Sequence, residues 1–293
     1  MPLPRPRSWR LALALALGLG ACQPAERPSP PRPLEATPAP PRSPQPPVTA
    51  LALRGRLGCV LDRDGTPFCF GASSAALAAP SEVLTAVEVG EDFACGLTPS
   101  GALRCWGTAA TGRTRTPTGR FVALALGRRH GCAIRAETGS LACWGFDFDR
   151  QAHPPPGRFA ALAAGDAHTC GLRHDGEVTC WGSNERGQRD APGGRFVALT
   201  ASDHGACGLD ATGAATCWGQ TPALPAAVAH LSLGTGGACG LDAAGRPACV
   251  GLPAPEVAHA LAIEAGESGA CALTALGQVA CTGIAPPDWA MAR

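Results

Sequence analysis

Fourteen of the fifteen cysteines in this 293-residue chain fall into seven pairs: Cys59/Cys69, Cys95/Cys105, Cys132/Cys143, Cys170/Cys180, Cys207/Cys217, Cys239/Cys249 and Cys271/Cys281. Within a pair the separation is 10 residues in six cases and 11 in one, whereas the gap between pairs varies from 22 to 27. The pair is therefore the rigid unit, and seven copies of one supersecondary motif must stack to build a core. Two residues after the first cysteine stand Leu61, Leu97, Ile134, Leu172, Leu209, Leu241 and Leu273. Eight before it stand Leu51, Val87, Leu124, Leu162, Leu199, Leu231 and Ile263, and eleven before it Val48, Leu84, Phe121, Phe159, Phe196, Val228 and Ala260. Five before it, glycine recurs in five copies, with Arg54 and Ser202 as exceptions.

Each unit reads as strand, tight bend, strand, hairpin, strand. In Cys95-Gly-Leu-Thr-Pro-Ser-Gly-Ala-Leu-Arg-Cys105, Pro99 suits a type I turn and Gly101 the left-handed position after it. This loop sets Leu97 opposite Leu103 and Cys95 opposite Cys105, at a non-hydrogen-bonded site where Cα atoms lie about 4.5 Å apart. That placement suits one disulfide per hairpin. Zinc prefers cysteines with two to four residues between them, and none are so spaced. The residues after the first cysteine are Val60, Gly96, Ala133, Gly171, Gly208, Gly240 and Ala272, all small or apolar. Both faces of each sheet are thus covered, as in blades stacked around an axis; an open solenoid with apolar end caps is the competing arrangement. Pro67 and Pro247 mark third strands without a normal outer neighbour, and a fourth strand has no clear place.

Composition agrees with an all-β chain. Gly (38) and Pro (29) favour turns and short strands over long helices. All 24 basic residues are Arg, so chemistries that need a lysine ammonium (a P-loop, a pyridoxal Schiff base, a kinase) are excluded.

The stretch Gly165-Asp-Ala-His-Thr-Cys-Gly-Leu-Arg-His-Asp-Gly-Glu-Val-Thr-Cys-Trp-Gly-Ser-Asn-Glu-Arg-Gly-Gln188 resembles a regulator of chromosome condensation repeat. Trp106, Trp144, Trp181 and Trp218 occupy the family's Trp-Gly step, from which Phe70, Val250 and Thr282 depart. Only the fourth copy keeps the Asn-x-x-Gly-Gln loop. The resemblance spans about residues 48 to 283 and implies a seven-bladed β-propeller, here with one hairpin disulfide per blade. It implies no single activity, because the fold hosts nucleotide-exchange factors, protein inhibitors and binding modules alike.

Arg5, Arg7 and Arg10 precede an apolar run, Leu11 to Leu19, too short to span a bilayer. Leu19-Gly20-Ala21-Cys22 resembles a bacterial lipobox, with Cys22 the lipidated residue. The expected organisation is a signal peptide (1–21), lipidated Cys22 with a linker (22–47), a seven-repeat propeller (48–283) and a tail (284–293). Residues 23 to 47 contain 11 prolines and should extend as polyproline II, holding the domain up to ~75 Å from the lipid. Two acyl chains tether stably. Gln23 after the lipidated cysteine lacks the aspartate of inner-membrane retention, so the expected location is the cell envelope, outer membrane if Gram-negative. The mature chain has 21 Arg against 23 acids, a formal charge of −2, which argues against nucleic-acid binding.

The leading functional reading is a monomeric, non-enzymatic scaffold that binds a protein or glycan partner through inter-blade loops, without cofactor or metal. Arg113, Arg115, Arg120, Arg128 and Arg129 form the densest basic stretch and the candidate binding residues. Glu91, Asp166 and Glu267 follow the recurrent glycine and either cap turns or ring the channel mouth, where they would serve an enzyme using the axial channel. His130 and His168 share a repeat position; each is expected to satisfy a local loop carbonyl, the alternative being that they converge on the axis as a metal or ligand site. A further alternative is inhibition of an envelope or secreted enzyme such as a β-lactamase, weakened by the absence of tyrosine as an interface anchor.

Overall fold

The alternation above becomes seven three-stranded antiparallel sheets in a computed structural model that describes residues 48–71, 77–224 and 228–285. The expected signal peptide, Cys22, the linker and residues 286–293 of the tail lie outside these residues. The sheets are β1–β3 (Val48–Arg54, Leu57–Asp62, Pro67–Gly71), β4–β6 (Ala86–Val89, Phe93–Leu97, Leu103–Gly107) and β7–β9 (Phe121–Leu126, His130–Arg135, Leu141–Gly145). Then follow β10–β12 (Phe159–Ala164, His168–Arg173, Val178–Gly182) and β13–β15 (Ala198–Ala201, Gly205–Leu209, Ala215–Gly219). The last are β16–β18 (His230–Leu233, Ala238–Leu241, Pro247–Val250) and β19–β21 (Ala260–Ala265, Ala270–Thr274, Val279–Thr282).

The hairpin register agrees with the turn chemistry. Leu97 pairs with Leu103 and Cys95 with Cys105, and Gly101 sits at φ +81°. All seven bridges form within their hairpins: Cys59–Cys69, Cys95–Cys105, Cys132–Cys143, Cys170–Cys180, Cys207–Cys217, Cys239–Cys249 and Cys271–Cys281. Their Cα atoms lie 4.0–4.1 Å apart, closer than the about 4.5 Å expected of a non-hydrogen-bonded pair. In the first hairpin an aspartate ties the loop: Asp62 Oδ1 accepts from the Asp64 and Thr66 amides at 2.9 and 2.8 Å.

The two cysteines of a pair differ in burial. Cys59, Cys95, Cys132, Cys170, Cys207, Cys239 and Cys271 are fully buried, whereas Cys69, Cys105, Cys143, Cys180, Cys217, Cys249 and Cys281 are only half-buried. The reason is position in the sheet. The first cysteine stands on the middle strand, flanked on both edges, and the second stands on the third strand, whose outer edge no further strand covers.

The second strand of every blade is buried almost end to end, as a sheet covered on both faces requires. One face carries the cysteine and the leucine after it. Cys59 and Leu61 pack on Val87, Ala94 and Trp106 of the second blade, and Cys95 and Leu97 on Leu124, Ala133 and Trp144 of the third. The disulfides are thus filling between blades, with Cys69, Cys217, Cys249 and Cys281 closing the margins of their clusters. On the other face, the residue eleven before the cysteine roofs the small residue after it: a Cβ on Gly171 would stand 2.5 Å from Phe159, and one on Gly208 2.4 Å from Phe196.

Successive blades are also stapled. The hairpin glycine carbonyl of one accepts the first amide of the next, as in Leu84 N to Gly65 O at 2.8 Å and Phe121 N to Gly101 O at 2.8 Å. The same bond closes the ring, from Val48 N in the first blade to Gly277 O in the seventh at 2.7 Å. Val48, Val60 and Phe70 pack there on Cys271, Leu273 and Val279. The ring is closed, and the open solenoid is excluded.

No fourth strand forms among the described residues; each third strand is outermost, and residues 108–120, which carry a 3-10 turn at Ala110–Gly112, 146–158 and 183–197 return without a strand. In the second of these, Pro154-Pro155-Pro156 offers no amide to a ladder. The lack of an outer neighbour is therefore general rather than peculiar to the copies with Pro67 and Pro247.

Candidate functional site

Because the first strand of each blade faces the axis, its tight bend to the second strand places one residue per blade on the channel mouth. These seven are Gly55, Glu91, Arg128, Asp166, Asp203, Thr235 and Glu267, and they line a single depression with Arg54 and Arg56. Glu91, Asp166 and Glu267 therefore share the mouth, one of the two places that the sequence allows them. Sequence reasoning misses Asp203 and Arg54, because copies five and one replace the recurrent glycine that marks the position. Where glycine is kept, the cause is steric: a Cβ on Gly127 or Gly165 would meet the His130 or His168 ring at 2.1 Å.

The mouth is an alternating charge network. Arg54 reaches from the first blade across the axis to the Ala164 carbonyl (3.3 Å), Asp166 (3.2 Å) and Asp203 (3.7 Å). Arg128 and Arg129 hold Glu91 at 2.6 and 3.1 Å. The Arg128 hydrogen bond, with help from Arg129, keeps the Glu91 carboxyl below the ordinary carboxylate range. Asp166 is pushed up to about 6 by burial, with Arg54 opposing. Its neighbour Asp203 stays below the ordinary value despite its burial, through Arg54 and the Thr235 hydroxyl that donates to it at 2.7 Å.

Beneath Arg54 lies an axial cavity of about 200 Å³ lined by all seven blades. Seven residues before each first cysteine stand Ala52, Glu88, Ala125, Ala163, Thr200, Ser232 and Glu264, all of them on the cavity wall. The polar ones serve the free edges of the inner strands. Thr200 Oγ1 accepts from Leu233 N of the next blade at 3.2 Å, and Ser232 Oγ accepts from Ala265 N at 3.0 Å while donating to Glu264 Oε2 at 3.0 Å. Burial pushes Glu88 up to about 7, against the Arg54 charge; burial and the Glu88 charge push Glu264 up to about 8.

The five arginines singled out in sequence do not form one patch. Arg113 is buried and paired with Asp92, and its carbonyl accepts Trp144 Nε1 at 2.9 Å. It occupies the place of Gln151 and Gln188, whose carbonyls accept Trp181 Nε1 and Trp218 Nε1 at 2.9 and 3.0 Å. Copies two and three thus keep the loop geometry of the fourth without its full sequence, with Gly112 and Arg150 taking the positive φ that Gly187 takes there. Arg120 lies at the opposite end of the blade, bonded to Ser100 O at 3.3 Å, and Arg115 is exposed. Only Arg128 and Arg129 belong to the mouth.

The histidines lie between blades rather than on the axis. His130 Nε2 meets the Thr169 hydroxyl of the following blade at 2.8 Å, not a local carbonyl, and His168 faces no hydrogen-bond partner among the described residues. Burial lowers them to about 3 and about 4, so both are neutral. No three His, Cys, Asp or Glu side chains gather as a metal site among the described residues.

Next to the mouth, a groove over blades three to five is lined by Arg129, Phe146, Asp149, Glu185, Arg186 and His204. Phe146 N is anchored to Arg129 O at 2.8 Å, and Phe148, 84% exposed, stacks on the Phe146 ring at 6.4 Å. No sequence signal singles out this pair, because the loop that carries it has no recognisable motif.

Residues 159–188 match the family model of the regulator of chromosome condensation repeat. Among curated proteins, no sequence matches the chain. The ectodomain of the Physcomitrella patens receptor kinase CR4 is similar in structure, with 26% identity over 82% of this chain and 74% of that one and a TM-score of 0.71. The CRINKLY WD40 ectodomain of the Arabidopsis thaliana receptor kinase ACR4 matches with 23% identity over 83% and 97% and a TM-score of 0.70. Prp20p of Saccharomyces cerevisiae, studied for its binding to Gsp1p and histones, matches with 14% identity over 82% and 83% and a TM-score of 0.62. The chain is accordingly a seven-bladed propeller of the regulator of chromosome condensation type in fold, with one disulfide in every blade.

Proposed function

We propose that this protein is a membrane-tethered, non-enzymatic scaffold whose mouth-side loops bind a protein partner. The observation that carries this reading is the exposed Phe148, stacked on Phe146 and bordered by the charged groove. A large apolar side chain held out on a rigid scaffold is what an interface anchor requires. Similarity to receptor ectodomains and to Prp20p supports a binding role in kind, and the choice of partner is this chain's own. In the mouth Glu91 is held by two arginines and Asp166 by Arg54, which suits a charged rim built for binding. Tethering through Cys22, and with it an envelope location and a monomeric state, belongs to the same proposal and rests on the lipobox resemblance. The inhibitor reading gains from Phe148, which supplies the anchor that the missing tyrosines do not.

A photo-crosslinking residue at Phe148 on intact cells should capture a protein that the same residue at Ala211, on a hairpin at the far end of a blade, does not. Identical capture at both positions, or none at Phe148, sinks the partner-binding reading. Metabolic labelling with an alkyne fatty acid should mark the chain and lose the mark in Cys22→Ser. Titration against β-lactamases and cell-wall transpeptidases decides the inhibitor alternative.

A further inference from the structure

We infer that the axial cavity is a binding site for a small primary-ammonium compound, held by Glu88 and Glu264 beneath the Arg54 roof. This site lies below the mouth, with which it shares Arg54, Gly55, Asp203 and Thr235, and is independent of the partner-binding reading at Phe148. Glu88 lines the cavity with no hydrogen-bond partner among the described residues, and Glu264 has one, the Ser232 hydroxyl. Both side chains are half-buried and open into the cavity, where water, a proton or a ligand must meet their acceptor oxygens. The cation nearest at hand, Arg54, is turned upward and held at the mouth by Asp166, Asp203 and the Ala164 carbonyl.

Three features select the ligand class. A volume of about 200 Å³ exceeds the ~30 Å³ share of one water several-fold, so a bare metal ion would leave most of the space empty. Ala52, Ala125 and Ala163 hollow one side, so that a short carbon skeleton fits within a lining that is mostly polar. An ammonium group presents three donors, which two carboxylates and a free inner-edge carbonyl, of the kind that Ala164 offers to Arg54, can accept. Burial, with the Glu88 charge added at Glu264, keeps these glutamates protonated into the neutral range, so binding an ammonium at neutral pH must release a proton to solvent.

Calorimetric titration of the full chain with methylammonium, ethanolamine and butane-1,4-diamine tests this. At least one primary amine should bind with one-to-one stoichiometry, about tenfold more tightly at pH ~8.5 than at pH ~6, with proton release read from buffers of different ionisation enthalpy. Glu88→Gln and Glu264→Gln should each weaken binding about tenfold or more, and Arg54→Ala should speed association. Tetramethylammonium, which has no N–H, should not bind. No binding of any primary amine, equal binding by the glutamine variants, equal binding of tetramethylammonium, or binding of calcium in place of amines would each overturn the inference. Should the variants fail to fold, carboxyl carbon shifts of labelled glutamates in the unaltered protein decide: two glutamate signals must move on amine addition.

Discussion

His130 and His168 sit at the same repeat position, and what separates them is the residue that the following blade offers. Thr169 gives His130 a hydroxyl; the equivalent residue opposite His168 is Ala206. Thr169→Ala should therefore cost about 1–3 kcal/mol by leaving a buried ring nitrogen unpaired, and Ala206→Thr should gain about 1 kcal/mol by pairing His168. Urea denaturation of the two variants checks both signs. The buried titratable groups also set a pH profile. Stability contributed by the histidines, whose folded values are lowered, is complete above their unfolded pKa near 6.5 and is lost as pH falls through about 4 and about 3. Glu88 and Glu264 act in the opposite sense: raised in the fold, they contribute fully below about pH 4.3 and lose that contribution as pH rises through about 7 and about 8. Unfolding free energy should thus decline between about pH 6.5 and 8, by at most ~1.4 kcal/mol per pH unit for each group, and the double variant Glu88→Gln/Glu264→Gln should flatten that decline. A wild-type profile already flat over this range would contradict the assignment.

Within one blade, the hairpin glycine has two roles, and only one of them belongs to the turn. It takes the left-handed conformation, and its carbonyl staples the next blade. Gly65→Ala would set a Cβ 2.5 Å from the Leu84 carbonyl at φ +80°, so it should cost on the order of 1–3 kcal/mol, more than backbone strain alone. The disulfide adds a second local constraint. Replacing Cys170 and Cys180 by serine opens an 11-residue loop and should lower stability by about 2–3 kcal/mol, with added loss where the sulfurs filled the space beside Ala206 and Trp218. Thermal unfolding of the double variant beside the parent measures it, and a change below ~1 kcal/mol would show that the blade interface, not the bridge, holds the hairpin.

Closure is the property that no single blade carries. The seventh blade meets the first through Leu273, Val279 and Cys271, packed on Val48, Val60 and Phe70. Leu273→Ala should cost about 2–5 kcal/mol, as at any other interface of the ring, although the residues it separates from Val48 span the length of the domain. Arg54 crosses the same ring at its mouth. Arg54→Ala leaves Asp166 and Asp203 facing each other with only Arg128, 3.7 Å from Asp166, as a cation, and should cost about 1–3 kcal/mol, discounted from a fully buried pair because the three side chains keep 15–22% of their surface. An acid-dependent recovery of this variant as Asp166 protonates, read by melting temperature, distinguishes charge repulsion from lost packing.

Everything local and repeated was legible in the chain before any fold was known. The 10 or 11 residue spacing set the disulfides, the turn residues set the hairpin register, and the alternation of leucine with small residues set two covered faces, because each follows from geometry within about a dozen residues. Glu91, Asp166 and Glu267 could likewise be aligned with one another, since equivalence survives wherever the glycine beside them does. Which positions meet, and which are covered, came from the assembled ring alone. Arg54 touches Asp166 at a separation of 112 residues, Glu88 and Glu264 share one cavity from opposite ends of the chain, and Arg113 is buried while its neighbours in sequence are not. The unequal burial of Cys59 and Cys69 is of the same kind, set by which edge of the sheet stays open. Bending seven similar sheets into a ring brings the unlike residues of different copies to a common axis, and no spacing along a single copy records that.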